Sequence, residues 1–199
     1  MEIIALILFV LSSSGTPGPN NVMLLTSGVN HGVRQTIPHV LGINLGFPIM
    51  VICVGLGLVS LFQQFPMLYT VLKVIGILYL LYLAYKIATI SQIERGSIKQ
   101  PPFTFMQAAC FQWLNPKAWV MAVSAIVAFS SAQESATSEV AVIALVYLLF
   151  GLPCSFFWLM IGAGLKNVLE NQSFLVWFNR GMAAVLVLSI LPMIESSIV

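Results

Sequence analysis

Six apolar runs dominate this sequence, each long enough to cross a bilayer as a helix. They extend from Ile3 to Leu25, Pro38 to Phe62, Met67 to Ile90, Phe105 to Phe129, Val140 to Gly164 and Phe174 to Ile194. A helical span needs about 20 mostly apolar residues. Short links alone remain between the runs. Charged residues make up 7% of the chain and hydrophobic ones 59%, where a soluble domain carries about 25% charge. So little charge cannot cover a water-facing surface, and the expected fold is all-α and membrane-integral. The scattered net charge of +2 does not suit nucleic acid. Cys53, Cys110 and Cys154 stand alone in apolar stretches, without CxxC or metal-ligand spacing, and read as small core residues. The opening MEIIALILFVLSSSG carries Glu2 and no Lys or Arg. It therefore reads as part of the first span rather than as a cleaved secretory signal.

Basic residues set the orientation. Arg34 lies in the first link, Lys86, Arg95 and Lys99 at or in the third, and Lys166 and Arg180 at the fifth. The opposite links, QQFP and SSAQESATSE, contain no Lys or Arg. The positive-inside rule then puts the first, third and fifth links in the cytoplasm and both termini outside. Lys73 reads as a lysine snorkelling to the outer headgroups. Lys86 and Arg180 read the same way inside, beside the interfacial aromatics Tyr82, Tyr85, Trp177 and Phe178. His31 and His39 flank the inner ends of the first two spans and receive no role.

Two spans are broken by their own sequence. In SSSGTPGPNNVMLL, Pro17 and Pro19 lack backbone donors and clash with the preceding turn. Gly15 and Gly18 permit a bend. Asn20 and Asn21 can cap the next half-helix or bind a ligand. In FQWLNPKAW, Asn115, Pro116 and Lys117 interrupt the fourth span. Lys117 lies too deep to snorkel easily. It is either a ligand-binding cation or a partner for carbonyls that the prolines release. Irregular backbone at membrane depth is tolerated only against protein or a wet cavity. The breaks open the first and the fourth of six spans, so they fall at matching places in two three-span halves, residues 1–95 and 96–199. An odd number of spans per half inverts one half relative to the other. Paired interruptions in inverted halves point to a transporter's binding site.

Several segments also resemble a known family. PGPNNVMLLTSGVNHGVRQTIPHVLGINLGF is similar to the amino-terminal signature of the LysE/RhtB amino-acid exporters. GILYLLYLAYKIA resembles their third span, NPKAW their fourth and FNRGMAAVLV the start of their sixth. Within the family, HGVRQ, GINLGF and YLAYKIAT look nearest to the cysteine and O-acetylserine exporter branch. The resemblance implies a bacterial inner-membrane exporter driven by proton antiport. It assigns the first re-bent segment to Pro17, Gly18, Pro19 and Asn20, and the second to Asn115, Pro116 and Lys117. Many members have an aspartate after PGP; Asn20 stands here, so that carboxylate is not available to carry a proton.

A mechanism can be written from these residues. A half-helix begun by PGPN offers unpaired N–H groups and a positive dipole end to a carboxylate. Lys117 adds a full charge, and it is also a candidate proton carrier. Carbonyls freed by Pro17, Pro19 and Pro116, with Asn20, Asn21 and Asn44, accept from an ammonium group. Gln112 and Asn115, three apart, share a helix face and line the same cavity. Asn44 serves equally well as an interhelical hydrogen bond. No Asp or Glu lies deep in a span, which favours neutral substrates over dibasic ones. The GxxxG pairs Gly28/Gly32 and Gly42/Gly46 suit internal packing or a homodimer. The spans contain no GxSxG, HExxH or acidic pair, so neither an enzyme nor a metal or cofactor site is expected. The alternatives are a passive channel and a non-transporting membrane partner protein.

Overall fold

The computed structural model describes residues 2–58, 64–89, 101–130, 136–165 and 172–191. Every described element is helical. They are α1 (Ile3–Gly15), α2 (Pro19–Cys53) running into a π-helical turn (Val54–Leu58), and α3 (Pro66–Ala88). Next come α4 (Phe105–Phe111), a 3₁₀ turn (Gln112–Leu114) and α5 (Pro116–Phe129). The series ends with α6 (Ala136–Leu165) and α7 (Gln172–Leu188). The expected span ends at Phe62, Ile90 and Ile194 lie outside the described residues, as do Arg95, Lys99 and Lys166.

Among the described residues, three helical stretches are long and apolar enough to cross a membrane: Pro19–Leu58, Thr70–Ala88 and Thr137–Leu165. The expected first and fourth spans are each cut in two at their proline motifs, leaving pieces of 13 residues in α1 and 14 in α5.

The boundary between the first two expected spans needs correction. A link was expected between Leu25 and Pro38, yet helix continues across it. The chain turns instead at Gly32, where φ is +77° and ψ is 178°. A side chain would strain that backbone, and glycine does not. The elbow divides α2 into arms 19–31 and 33–53. It is tied by Ser27 Oγ and Thr36 Oγ1, 2.8 Å apart, and Thr36 Oγ1 donates to the Gly32 carbonyl at 2.8 Å. Satisfying these hydroxyls locally lets the turn dispense with a loop.

Packing follows membrane rules rather than soluble ones. Lipid tails are as apolar as leucine, so close backbone approach takes over from hydrophobic exclusion in holding helices together. Long apolar side chains on α3, including Val71, Val74, Ile75 and Leu78, stay exposed. The small residues face inward. A Cβ on Gly42 would overlap the Phe105 carbonyl, and one on Gly46 would lie 2.6 Å from Ala109 Cα; both contacts are with α4. One on Gly28 would sit 2.5 Å from the Leu159 carbonyl of α6. Three of the four GxxxG glycines therefore contact helices of the same chain, and the fourth is the elbow. One buried cluster joins Leu6 and Val10 to Met50, Ala122 and Tyr147. Another joins Met23 to Leu80, Phe111 and Leu186. Lys86 lies 5.2 Å from the Tyr82 ring centroid and Arg180 5.7 Å from that of Trp177, two of the aromatics expected beside them.

Helix α4 has seven residues, too few to be stable by itself. Its start is fixed by a capping box. Thr104 Oγ1 accepts from Gln107 N at 3.3 Å, and Gln107 Oε1 accepts from Thr104 N at 3.0 Å. Thr104→Ala should cost about 0.5–2 kcal/mol and lower the thermal midpoint by roughly 2–4 °C per kcal/mol. Thr104→Ser should not. Thermal unfolding of the purified protein checks both; equal midpoints for wild type and Thr104→Ala would refute the role of the cap.

Candidate functional site

The two breaks meet. Thr16 is extended (φ −71°, ψ 148°), and Gly18 is nearly flat (φ −179°, ψ 177°). Neither Gly15 nor Gly18 has a positive φ, so the bend does not draw on glycine's conformational freedom. Gly18 is small for a different reason: an added Cβ would lie 2.6 Å from Lys117 Cδ and 3.1 Å from its Nζ. The Lys117 side chain crosses directly over that backbone. Its Nζ donates to the Thr16 carbonyl at 2.7 Å, to Thr16 Oγ1 at 2.8 Å and to the Pro17 carbonyl at 3.3 Å. Residues about a hundred positions apart are thereby joined, one break filling the gap in the other.

The remaining freed groups are met just as specifically. Asn21 Nδ2 donates backward to the Ser14 and Thr16 carbonyls, at 2.8 and 2.7 Å. Trp158 Nε1 of α6 donates to the Gly15 carbonyl at 3.1 Å. Asn115 caps α5, its Oδ1 accepting from Lys117 N at 3.1 Å. Pro116 opens that helix, where its missing N–H costs nothing. Asn20 and Gln112 form a reciprocal amide pair. Asn20 Nδ2 donates to Gln112 Oε1 at 2.8 Å, and Gln112 Nε2 returns to Asn20 Oδ1 at 3.2 Å. Gln112 Nε2 also donates to the Ala108 carbonyl at 2.8 Å.

Beside the crossing lies a cavity of about 50 Å³, where one water needs about 10–15 Å³. Gly18, Asn20, Asn21, Asn44, Asn115 and Lys117 line it. Of the other residues singled out from sequence, Pro17 contributes its carbonyl to Lys117, and Pro19 and Pro116 begin the two helices. Gln112 sits behind Asn20 and does not line the cavity. Asn44 takes both roles open to it: it lines the cavity, and its Nδ2 donates across to Ser155 Oγ on α6 at 2.9 Å. The sequence reading did not single out Ser13, Ser14, Tyr147, Gly151 and Ser155, which also line the cavity, with Ile43, Phe47, Pro48, Ala118 and Met121 as its apolar part. Ser155 follows Gly151 by four residues, one helical turn, and that small-polar spacing is the signal that α6 turns a face inward.

Chemically, the wall is one-sided. The starts of α2 and α5 both contribute the positive ends of their dipoles; at α5 the first amides are already bonded, Lys117 N to Asn115 Oδ1 and the Ala118 and Trp119 amides to the Asn115 carbonyl. With Lys117 they make an electropositive corner. Asparagine and serine oxygens, with the Tyr147 hydroxyl, supply acceptors. No Asp or Glu is among the lining residues. No group of three or more His, Cys, Asp or Glu able to hold a metal occurs among the described residues.

The family model described as LysE type translocator matches residues 11–191. The cysteine/O-acetylserine efflux protein of Escherichia coli (strain K12) is 32% identical over 155 residues, covering 77% of this chain and 78% of that protein. The protein of the same description in Shigella sonnei (strain Ss046) shows the same identity and coverage. No solved structure gives a significant match. A match over nearly the whole chain, broken helices included, makes this protein a member of the LysE type translocator family.

Proposed function

We propose that the chain is a secondary transporter that exports small neutral amino acids or their derivatives, of the cysteine, O-acetylserine, homoserine or threonine class, by proton antiport. The observation that carries this reading is the convergence of two helix starts and Lys117 on one cavity whose lining contains no carboxylate. A substrate carboxylate fits the electropositive corner, where desolvation strengthens the attraction. Its ammonium group fits the asparagine and serine side-chain oxygens and the Tyr147 hydroxyl of the wall. A dibasic substrate would leave its second cation without a counter-charge. The Escherichia coli relative's description as a cysteine/O-acetylserine efflux protein points to the same class.

In this reading six spans cross the bacterial inner membrane as two inverted halves, with the elbow side in the cytoplasm and both termini in the periplasm. Contacts between equivalent helices fit a two-fold relation of the halves. The second and fifth spans pack together as α2 against α6, and the third and sixth as α3 against α7. The broken first and fourth spans meet at their breaks. Alternating access then amounts to rocking one half against the other around a fixed site. Lys117 is the proposed proton carrier: substrate binding displaces its proton and the emptied site takes one up again, so proton and substrate cross in opposite directions without an acidic residue at position 20.

Flux in inverted vesicles tests this. Labelled cysteine, O-acetylserine, threonine and lysine are supplied with and without a pH gradient. The expected result is saturable, gradient-dependent uptake of a neutral substrate in preference to lysine. Flux that rises linearly with concentration and ignores the gradient would indicate a passive channel, and no flux at all a non-transporting partner.

A further inference from the structure

A second polar chamber lies under the Gly32 elbow. Its volume is about 100 Å³, and its polar lining is unusual for what it lacks. Asn30, 9% exposed, donates Nδ2 to the Thr26 carbonyl at 2.8 Å, which fixes the amide and leaves Oδ1 without a partner. Thr26 Oγ1 is buried and also unpartnered. His39, 2% exposed, has neither ring nitrogen hydrogen-bonded. Its ring is held by stacking on Phe103, with centroids 5.2 Å apart. Lys86 of α3 brings the chamber a cation. Ser27, also on the wall, and Thr36 beside it satisfy each other's hydroxyls.

A buried polar group left unmatched loses its water without a replacement and is destabilising. Four such atoms on three side chains of one chamber therefore mark a place that something polar fills. The set resembles the broken-helix cavity in chemistry. A neutral imidazole presents one donor and one acceptor, Asn30 Oδ1 and Thr26 Oγ1 accept, and Lys86 attracts an anion. That combination matches one ammonium and one carboxylate at short range. The apolar wall of Met23, Leu83, Ile87 and Phe103 suits a small uncharged side chain.

The two cavities also share a track. Asn20, Met23, Ser27 and Asn30 recur at helical spacing on one face of arm 19–31. Asn20 lines the broken-helix cavity, and the other three line the chamber. At 1.5 Å per residue, Asn20 and Asn30 are about 15 Å apart along the helix. Met23 and the Asn20–Gln112 pair stand between them.

We propose that the chamber is a second binding station for the zwitterionic head of the exported amino acid, occupied before the broken-helix cavity. This rests on the amino-acid export reading. It makes the elbow a loading site on the side which that reading assigns to the cytoplasm.

Equilibrium binding of labelled cysteine and of labelled O-acetylserine to the full-length protein in lipid nanodiscs tests it. Wild type should bind two molecules of the transported compound per chain. Lys117→Gln should retain one of them. Asn30→Leu and Thr26→Val, near-isosteric changes that remove the chamber's acceptors, should weaken the other by about tenfold or more. Combining Lys117→Gln with Asn30→Leu should remove both. Saturation at one molecule per chain, with Asn30→Leu and Thr26→Val indistinguishable from wild type, overturns the chamber and leaves the export reading intact. A single site weakened by both Lys117→Gln and Asn30→Leu overturns it too, since one elongated site would then serve. Absence of binding together with absence of flux overturns the export reading itself.

Discussion

Lys117→Gln is expected to abolish gradient-driven efflux while leaving the fold in place. Two roles for the lysine must be separated. Its ammonium holds the carbonyls of Thr16 and Pro17, so part of its work is to heal the break. It is also a cation in a cavity without a lining carboxylate, so its charge remains available to a substrate. Glutamine separates these roles, because its amide still donates to carbonyls but carries no charge. Removing one partner of a buried hydrogen-bonded charge pair costs about 2–5 kcal/mol. At 1.4 kcal/mol per decade, that is roughly 30- to 4,000-fold in affinity. The thermal midpoint of Lys117→Gln should stay near that of wild type, whereas Lys117→Met, which cannot reach the carbonyls as a donor, should lose both midpoint and transport. Wild-type efflux by Lys117→Gln would reduce the lysine to a staple and remove the main support for carboxylate binding.

How much of this was legible in the sequence differs from residue to residue. The breaks were legible because proline, asparagine and lysine are chemically conspicuous inside apolar runs. Their meeting was foreshadowed by position alone, one in the first span and one in the fourth. The bond from Lys117 to Thr16 is a tertiary fact with no local signal. Asn20 and Gln112 were both visible, but not their pairing, since nothing near either residue specifies a partner 92 positions away. The elbow was hidden for a different reason. HGVRQ carries charge and glycine and so resembles a link, whereas one glycine with φ +77° suffices to turn a helix onto its neighbour. His39 received no role because a lone histidine near an interface is usually solvated; its burial depends on Phe103, which arrives from beyond the third span. Ser13, Ser14 and Ser155 were overlooked because serine is common in membrane helices and bonds its own backbone cheaply.

Gly162→Val should cost more stability than any conservative change elsewhere in the described helices. A Cβ on Gly162 would overlap the Leu25 carbonyl and lie 2.9 Å from that residue's carbonyl carbon and 3.0 Å from its Cα. All three are backbone atoms of arm 19–31, so no side-chain rotation relieves the clash. From the other side, a Cβ on Gly28 would lie 2.5 Å from the Leu159 carbonyl oxygen and 2.9 Å from the Ala163 amide nitrogen. The two helices thus cross with each other's backbone for a surface. Overpacking a well-packed site costs about 1–3 kcal/mol where side chains can yield, and a backbone obstacle puts the cost at or above that upper end. The consequence extends to function, because arm 19–31 starts at the broken-helix cavity and carries Thr26 and Asn30. Moving it away from α6 would pull Asn20 from Gln112 and open the carbonyls that Asn21 and Trp158 cover. A Cβ on Gly164, two residues on, would meet nothing within 4 Å, so Gly164→Ala should leave the thermal midpoint unchanged or raise it slightly. Thermal unfolding and folded yield in detergent compare the pair directly. If Gly162→Val unfolds with Gly164→Ala and with wild type, the arm and α6 do not touch through their backbones, and small residues there have some other cause.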